Sequence, residues 1–139
     1  MGGRFWISVV VVAILSMLLG FVVHGVLLNG DYAQLPNLLR TEADAQGYLP
    51  AMLLAHLLRG LAITWVYRQG REAAKPWLGQ GLRFGALLAV LLVVSTYLIY
   101  YAVQPWPTNV VIKQIAFDSI VMLFLGLAAA GINSETRAT

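Results

Sequence analysis

Apolar residues gather into four long runs along the chain, at 5–28, 49–67, 82–103 and 110–132. At 1.5 Å of rise per residue the first extends roughly 36 Å, enough to cross a ~30 Å hydrocarbon core with some tilt. None of the runs alternates with period two, so the pattern predicts helices and not barrel strands. The second opens with Pro50 in its first turn, where proline sacrifices no hydrogen bond. The third stops at Gln104-Pro105-Trp106-Pro107, because two prolines cannot continue a helix. The expectation is an all-α polytopic membrane protein, a single transmembrane domain folded as a four-helix bundle, with an outer loop at 29–48 and an inner loop at 68–81. In the outer loop Tyr32, Leu35, Leu38 and Leu39 recur at helical spacing, which predicts a short surface helix. That loop is either a polar cover over the bundle or a lid that contacts a ligand or partner.

Composition strengthens the membrane reading. Sixty per cent of the 139 residues are hydrophobic and eleven per cent are charged, about half the usual charged share of soluble domains. So few charges cannot cover so much apolar surface in water. The net charge of +3 does not point to nucleic acid, since the basic residues sit at the ends of apolar runs and form no stripe on a soluble domain. Arg4, Arg68, Arg71, Lys75 and Arg83 flank the first helix and the second loop. The first loop sets Arg40 against Asp31, Glu42 and Asp44. The positive-inside rule therefore predicts both termini in the cytoplasm. Trp6, Trp65, Tyr67 and Trp77 fall at the inner boundary, and Tyr32, Tyr48, Tyr100, Tyr101 and Trp106 at the outer one. The first run is too long for a signal-peptide core and no A-x-A site closes it, so it is expected to remain as a helix. The absence of cysteine excludes disulfides, thiol catalysis and thiolate metal sites.

Ionisable groups at membrane depth are costly, about 2.5–3.5 kcal/mol each, so every one needs a reason. Arg59 lies ~15 Å and Asp118 ~12 Å from the outer surface, which predicts that they pair. His56 shares a face with Arg59, Gln114 shares one with Asp118, and His24 lies near the outer end of the first helix. Tyr97 and Tyr100 are at suitable depth to join them, although the third helix is otherwise apolar. His24, His56, Arg59, Gln114 and Asp118 thus form the candidate intramembrane polar site. It is either interhelical glue or a site for a proton, a small anion, a quinone head group or a cofactor. Haem b held axially by His24 and His56, with Arg59 near a propionate, is the most concrete cofactor. Zinc would need His24, His56 and Asp118 to converge. Lys113 is expected to snorkel, and the Arg68 to Arg83 cluster either sets orientation or also binds anionic lipid heads. Ser16/Gly20, Gly81/Gly85 and Gly126/Ala130 are small-xxx-small pairs, expected to serve packing within the bundle or an oligomer.

His24-Gly25-Val26-Leu27-Leu28 followed by Tyr32, Trp65-Val66-Tyr67-Arg68-Gln69-Gly70, Gln80-Gly81-Leu82-Arg83-Phe84-Gly85 and Pro105-Trp106-Pro107 together resemble a group of small bacterial four-helix membrane proteins of uncharacterised function. The resemblance implies a bacterial inner membrane and carries no activity with it. The sequence lacks the cysteine pairs of disulfide-generating quinone enzymes, the first-helix glutamate of small multidrug exporters, a Gly-x-Ser-x-Gly protease site and His-Glu-x-x-His. It has no internal repeat of the inverted kind that builds many transporters. Three functions remain open: a non-enzymatic subunit of a homo-oligomer or larger membrane complex, a carrier or binder that uses the polar cluster, and a haem b protein.

Overall fold

The computed structural model describes residues 2–36 and 38–134. Of the described residues 83% are helical and none is in a strand. Helices α1 (Gly3–Leu27), α4 (Leu49–Gly70), α5 (Trp77–Val103) and α6 (Thr108–Asn133) are each long and apolar enough to cross a membrane. Two short helices, α2 (Asn29–Tyr32) and α3 (Glu42–Gln46), lie between α1 and α4. Residues 135–139, whose cytoplasmic placement the sequence predicts, lie outside the described residues.

The long helices differ from the apolar runs chiefly at one end. α4 continues to Gly70 and α5 begins at Trp77, so the predicted inner loop of 68–81 contracts to 71–76. Hydropathy stops at the polar residues there, but Gln80 organises the turn. Its side-chain oxygen accepts the Glu72 backbone N–H at 2.7 Å, and its amide donates to the carbonyls of Glu72 and Lys75 at 2.9 and 3.0 Å. The predicted surface helix through Tyr32, Leu35, Leu38 and Leu39 is not continuous. α2 ends at Tyr32 and Pro36 follows, and a proline disfavours helix in the residue before it. The chain turns helical again only after Thr41, whose hydroxyl accepts the Asp44 N–H at 3.3 Å as an N-cap.

α1 and α6 form the centre of the bundle, with α4 against α1 and α5 against α6; α4 and α5 hardly touch. Apolar side chains gain little from meeting each other in lipid, so close backbone approach has to hold the helices together. Small residues permit it. A Cβ on Gly126 of α6 would lie 2.5 Å from the Gly81 carbonyl oxygen, and one on Gly85 would lie 2.7 Å from the Leu123 Cα. Ala130 sits against Gly81 in the same seam. Gly60 of α4 plays this part against Val9 and Ala13 of α1, a position no small-residue pair signalled. Ser16 and Gly20 face α4, where His56 lies over both. Ser8, Thr64 and Asn133 add a buried knot. The Ser8 and Thr64 hydroxyls are 3.0 Å apart, and the Asn133 amide donates to Ser8 at 3.0 Å. This knot joins α1, α4 and α6.

Most large apolar side chains of α4 remain exposed, and only Gly60, Ile63, Thr64 and Tyr67 of that helix are buried. The α5–α6 seam yields a prediction. Gly126→Ala should destabilise the purified protein by about 1–3 kcal/mol through overpacking. Gly79→Ala, which meets nothing within 4 Å, should be neutral or stabilising by up to about 1 kcal/mol. Unfolding by graded denaturing detergent measures both. Equal effects at the two glycines would rule the seam out.

Candidate functional site

The termini of the bundle and the 71–76 loop lie at one end, the termini end. Helices α2 and α3 and the 104–107 link lie at the far end. Polar side chains from α1, α2, α5 and α6 meet towards the far end around Asp118, which is 7% exposed. One carboxylate oxygen lies 3.3 Å from Nε2 of His24, and the other accepts the Tyr97 hydroxyl at 2.6 Å. On its opposite edge His24 meets Tyr32, with Nδ1 2.7 Å from the phenol oxygen. Gln114, one turn before Asp118 on α6, donates its amide to the same phenol at 3.1 Å. Trp106 from the proline link packs edge-on to Tyr32 at 6.4 Å. Beside this network Lys113 donates to both oxygens of Asp31 at 2.8 and 2.9 Å. That ion pair ties α2 to α6.

Burial pushes the Tyr32 phenol above its ordinary pKa, the Gln114 hydrogen bond opposing, so it keeps its proton at neutral pH. Because that phenol already accepts from Gln114, its own hydrogen is best placed on Nδ1 of His24. The remaining imidazole proton is then on Nε2, aimed at Asp118. This arrangement leaves Asp118 with a hydrogen bond from Tyr97 and a 3.3 Å contact to the imidazole. It fills the network except at Gln114, whose Oε1 is buried without a partner among the described residues.

Local winding brings the two donors to Asp118. Residues Phe21–Leu27 of α1 and Ala89–Val94 of α5 form π-helical turns. Each adds width to the turn and rotates the residues beyond it. His24 sits inside the first and turns towards α6, off the α4-facing line of Ser16 and Gly20. Tyr97 lies three residues past the second.

Several sequence expectations need correction. Asp118 does not pair with Arg59; the basic side chain against it is His24, 3.3 Å away. Arg59 is exposed near the middle of α4 and bonds to no described residue, though its charge is within range of His56 and Tyr97. His56 is drawn out of the cluster to Ser16, whose hydroxyl is 2.7 Å from its Nδ1. Both ring nitrogens of His24 are engaged within the network. Axial ligation of haem b by the two imidazoles would therefore require His24 to release a partner. Among the described residues no group of three His, Asp or Glu side chains could hold a metal ion, so the set His24, His56 and Asp118 does not converge. Lys113 does not snorkel freely, because Asp31 holds it. Of the two candidate tyrosines on α5, Tyr97 joins the cluster and the exposed Tyr100 does not. Tyr32 joins the cluster as well, which its place in the sequence did not signal. Its helical phase with Leu35 suggested a surface face, whereas it turns inward.

At the termini end Glu72 lies between two cations. Lys75 is 2.7 Å away and Arg83 3.2 Å. Hydrogen bonds from Lys75 and then Arg83 hold the Glu72 carboxyl below its usual pKa. Arg4 donates to the Ser134 carbonyl at 3.0 Å, and Arg71 donates to that of Asn133.

Fold and site together define a helical bundle with four helices able to cross a membrane and a carboxylate network between them. The chain matches no family model, no curated protein and no solved structure.

The network predicts a graded response. Tyr32→Phe removes partners from His24 and Gln114 together, and should destabilise the bundle by about 1–3 kcal/mol. Tyr100→Phe should change stability by less than about 0.5 kcal/mol. Thermal unfolding in detergent compares them. A silent Tyr32→Phe would contradict the network.

Proposed function

We propose that this protein is a non-enzymatic helix-bundle subunit of a bacterial cytoplasmic membrane, with both termini in the cytoplasm, that docks through α4 on a second membrane protein. Arg59 carries the reading. It sits roughly 15 Å from either end of α4, too deep for easy snorkelling, and is exposed without an ion-pair partner among the described residues. A cation left in that position costs about 2.5–3.5 kcal/mol, and a carboxylate supplied from outside the bundle would offset it. Asp118 is the one carboxylate within the four spans, and His24 and Tyr97 already engage it. A second copy of this chain therefore brings no spare acid to that depth. The partner is a different protein with an Asp or Glu inside one of its own helices. The distribution of Arg4, Arg68, Arg71, Lys75 and Arg83 supports the orientation.

A second reading, carriage of protons, draws on one observation. Gln114, Tyr32, His24, Asp118 and Tyr97 form a continuous chain of polar contacts, hydrogen-bonded except at the 3.3 Å step from His24 to Asp118, and histidine can pass a proton between its two nitrogens. On that reading Asp118→Asn would abolish proton flux in vesicles while the fold survives. Under the subunit reading the purified protein carries no flux to lose.

Site-specific photocrosslinking from position 58 in intact membranes tests the subunit reading. The expected result is a crosslink to one partner that persists in Arg59→Lys and disappears in Arg59→Leu, while both variants unfold at the wild-type temperature to within a few degrees. A product of twice the mass would assign the surface to a second copy and overturn the heteromeric assignment. A chain that stays monomeric and uncrosslinked would overturn the whole reading.

A further inference from the structure

Because α4 and α5 hardly touch, a groove opens between them near the termini end. Its volume is about 550 Å³, with Val66 and Tyr67 of α4 on one wall and Arg83, Phe84, Leu87 and Val90 of α5 on the other. No residue of α1 or α6 lines it, so it opens sideways. The contact between Tyr67 and Phe84, with ring centroids 5.4 Å apart, bridges the two walls. The lining is apolar along Val66, Ala86, Leu87 and Val90, and polar where Gln80 and Arg83 stand.

We infer that this groove holds one anionic phospholipid, with an acyl chain between α4 and α5 and the phosphate at Arg83. A lipid tail gains little hydrophobic free energy by leaving other tails for an apolar wall, so selectivity must come from the headgroup end. There the charge is one-sided: Arg68, Arg71, Lys75 and Arg83 stand against Glu72 alone in the 66–90 segment. Arg83 is 64% exposed at its side chain and reaches Glu72 through one nitrogen at 3.2 Å, a long contact for a charged pair. The rest of its planar fork stays available to a phosphate. Glu72 is then a competitor for the same guanidinium. The site is separate from Arg59, which lies about 10 Å further along α4 than Val66, and it does not depend on the subunit reading.

Native mass spectrometry of the purified protein, titrated in detergent with dioleoyl phosphatidylglycerol or dioleoyl phosphatidylcholine, tests the site. One phosphatidylglycerol should bind in preference to phosphatidylcholine. Arg83→Gln should weaken phosphatidylglycerol binding about fivefold, the effect of one basic side chain at a lipid headgroup, and leave phosphatidylcholine unchanged. Ala86→Trp, which fills the groove with the charges intact, should reduce binding of both lipids. Glu72→Gln should tighten phosphatidylglycerol binding by freeing Arg83. Equal affinity for the two lipids, no response to Ala86→Trp, or weaker binding in Glu72→Gln would each overturn the proposal. Inorganic phosphate, which has no acyl chain, should bind far more weakly than phosphatidylglycerol; phosphate that displaced the lipid at equal concentration would reduce the site to a headgroup contact and overturn it too.

Discussion

The demand of one buried carboxylate for donors organises the far end of this molecule. Asp118 is the one carboxylate within the four long helices, and an unpaired charge there would be expensive. Tyr97 donates to one oxygen and His24 lies against the other. Those two contacts fix how α1 and α5 are rotated about α6, and each residue lies in or just beyond a π-helical turn. Tyr32 then orients the imidazole, Gln114 orients Tyr32, and Lys113 with Asp31 holds α2 in place. A polar network thus does at the far end what glycine contacts do along the α5–α6 seam. Both give the helices a reason to meet in a solvent that offers them no hydrophobic one.

The same arrangement divides the bundle unequally. α5 and α6 are joined through Gly81, Gly85, Gly126 and Ala130, with α1 drawn in by His24 and by the Ser8–Asn133 bond. α4 is held along one narrow line, from His56 on Ser16 through Gly60 to Thr64 on Ser8. Its remaining surface, Arg59 included, is open. Proposed docking and proposed lipid binding both stem from that looseness, at different levels of one helix.

The bundle was legible because membrane helices announce themselves by length and apolarity, and no loop here is long enough to confuse the count. Gly81, Gly85, Gly126 and Ala130 were legible because their spacing leaves a smooth strip on each helix. The site was half legible. Depth along a helix can be counted from sequence, and it places Asp118, Gln114, His24 and Tyr97 at similar levels. Rotation cannot be counted when the winding changes, and two widened turns altered it just where the donors stand. Charge matching by depth therefore paired Asp118 with Arg59, although His24 stands at a similar level. Tyr32 was hidden for another reason. A loop residue has no depth until the loop is placed, and the Asp31–Lys113 pair that places it joins positions 82 apart in sequence.

The most direct test of this account is a pair of double-mutant cycles on stability, both built on Asp118→Asn. Coupled with His24→Ala, the interaction energy should reach about 1 kcal/mol or more, as expected of groups in contact. Coupled with Arg59→Ala, it should stay within about 0.5 kcal/mol, as for groups with no shared bond. A large coupling to Arg59 and none to His24 would contradict the account at its centre.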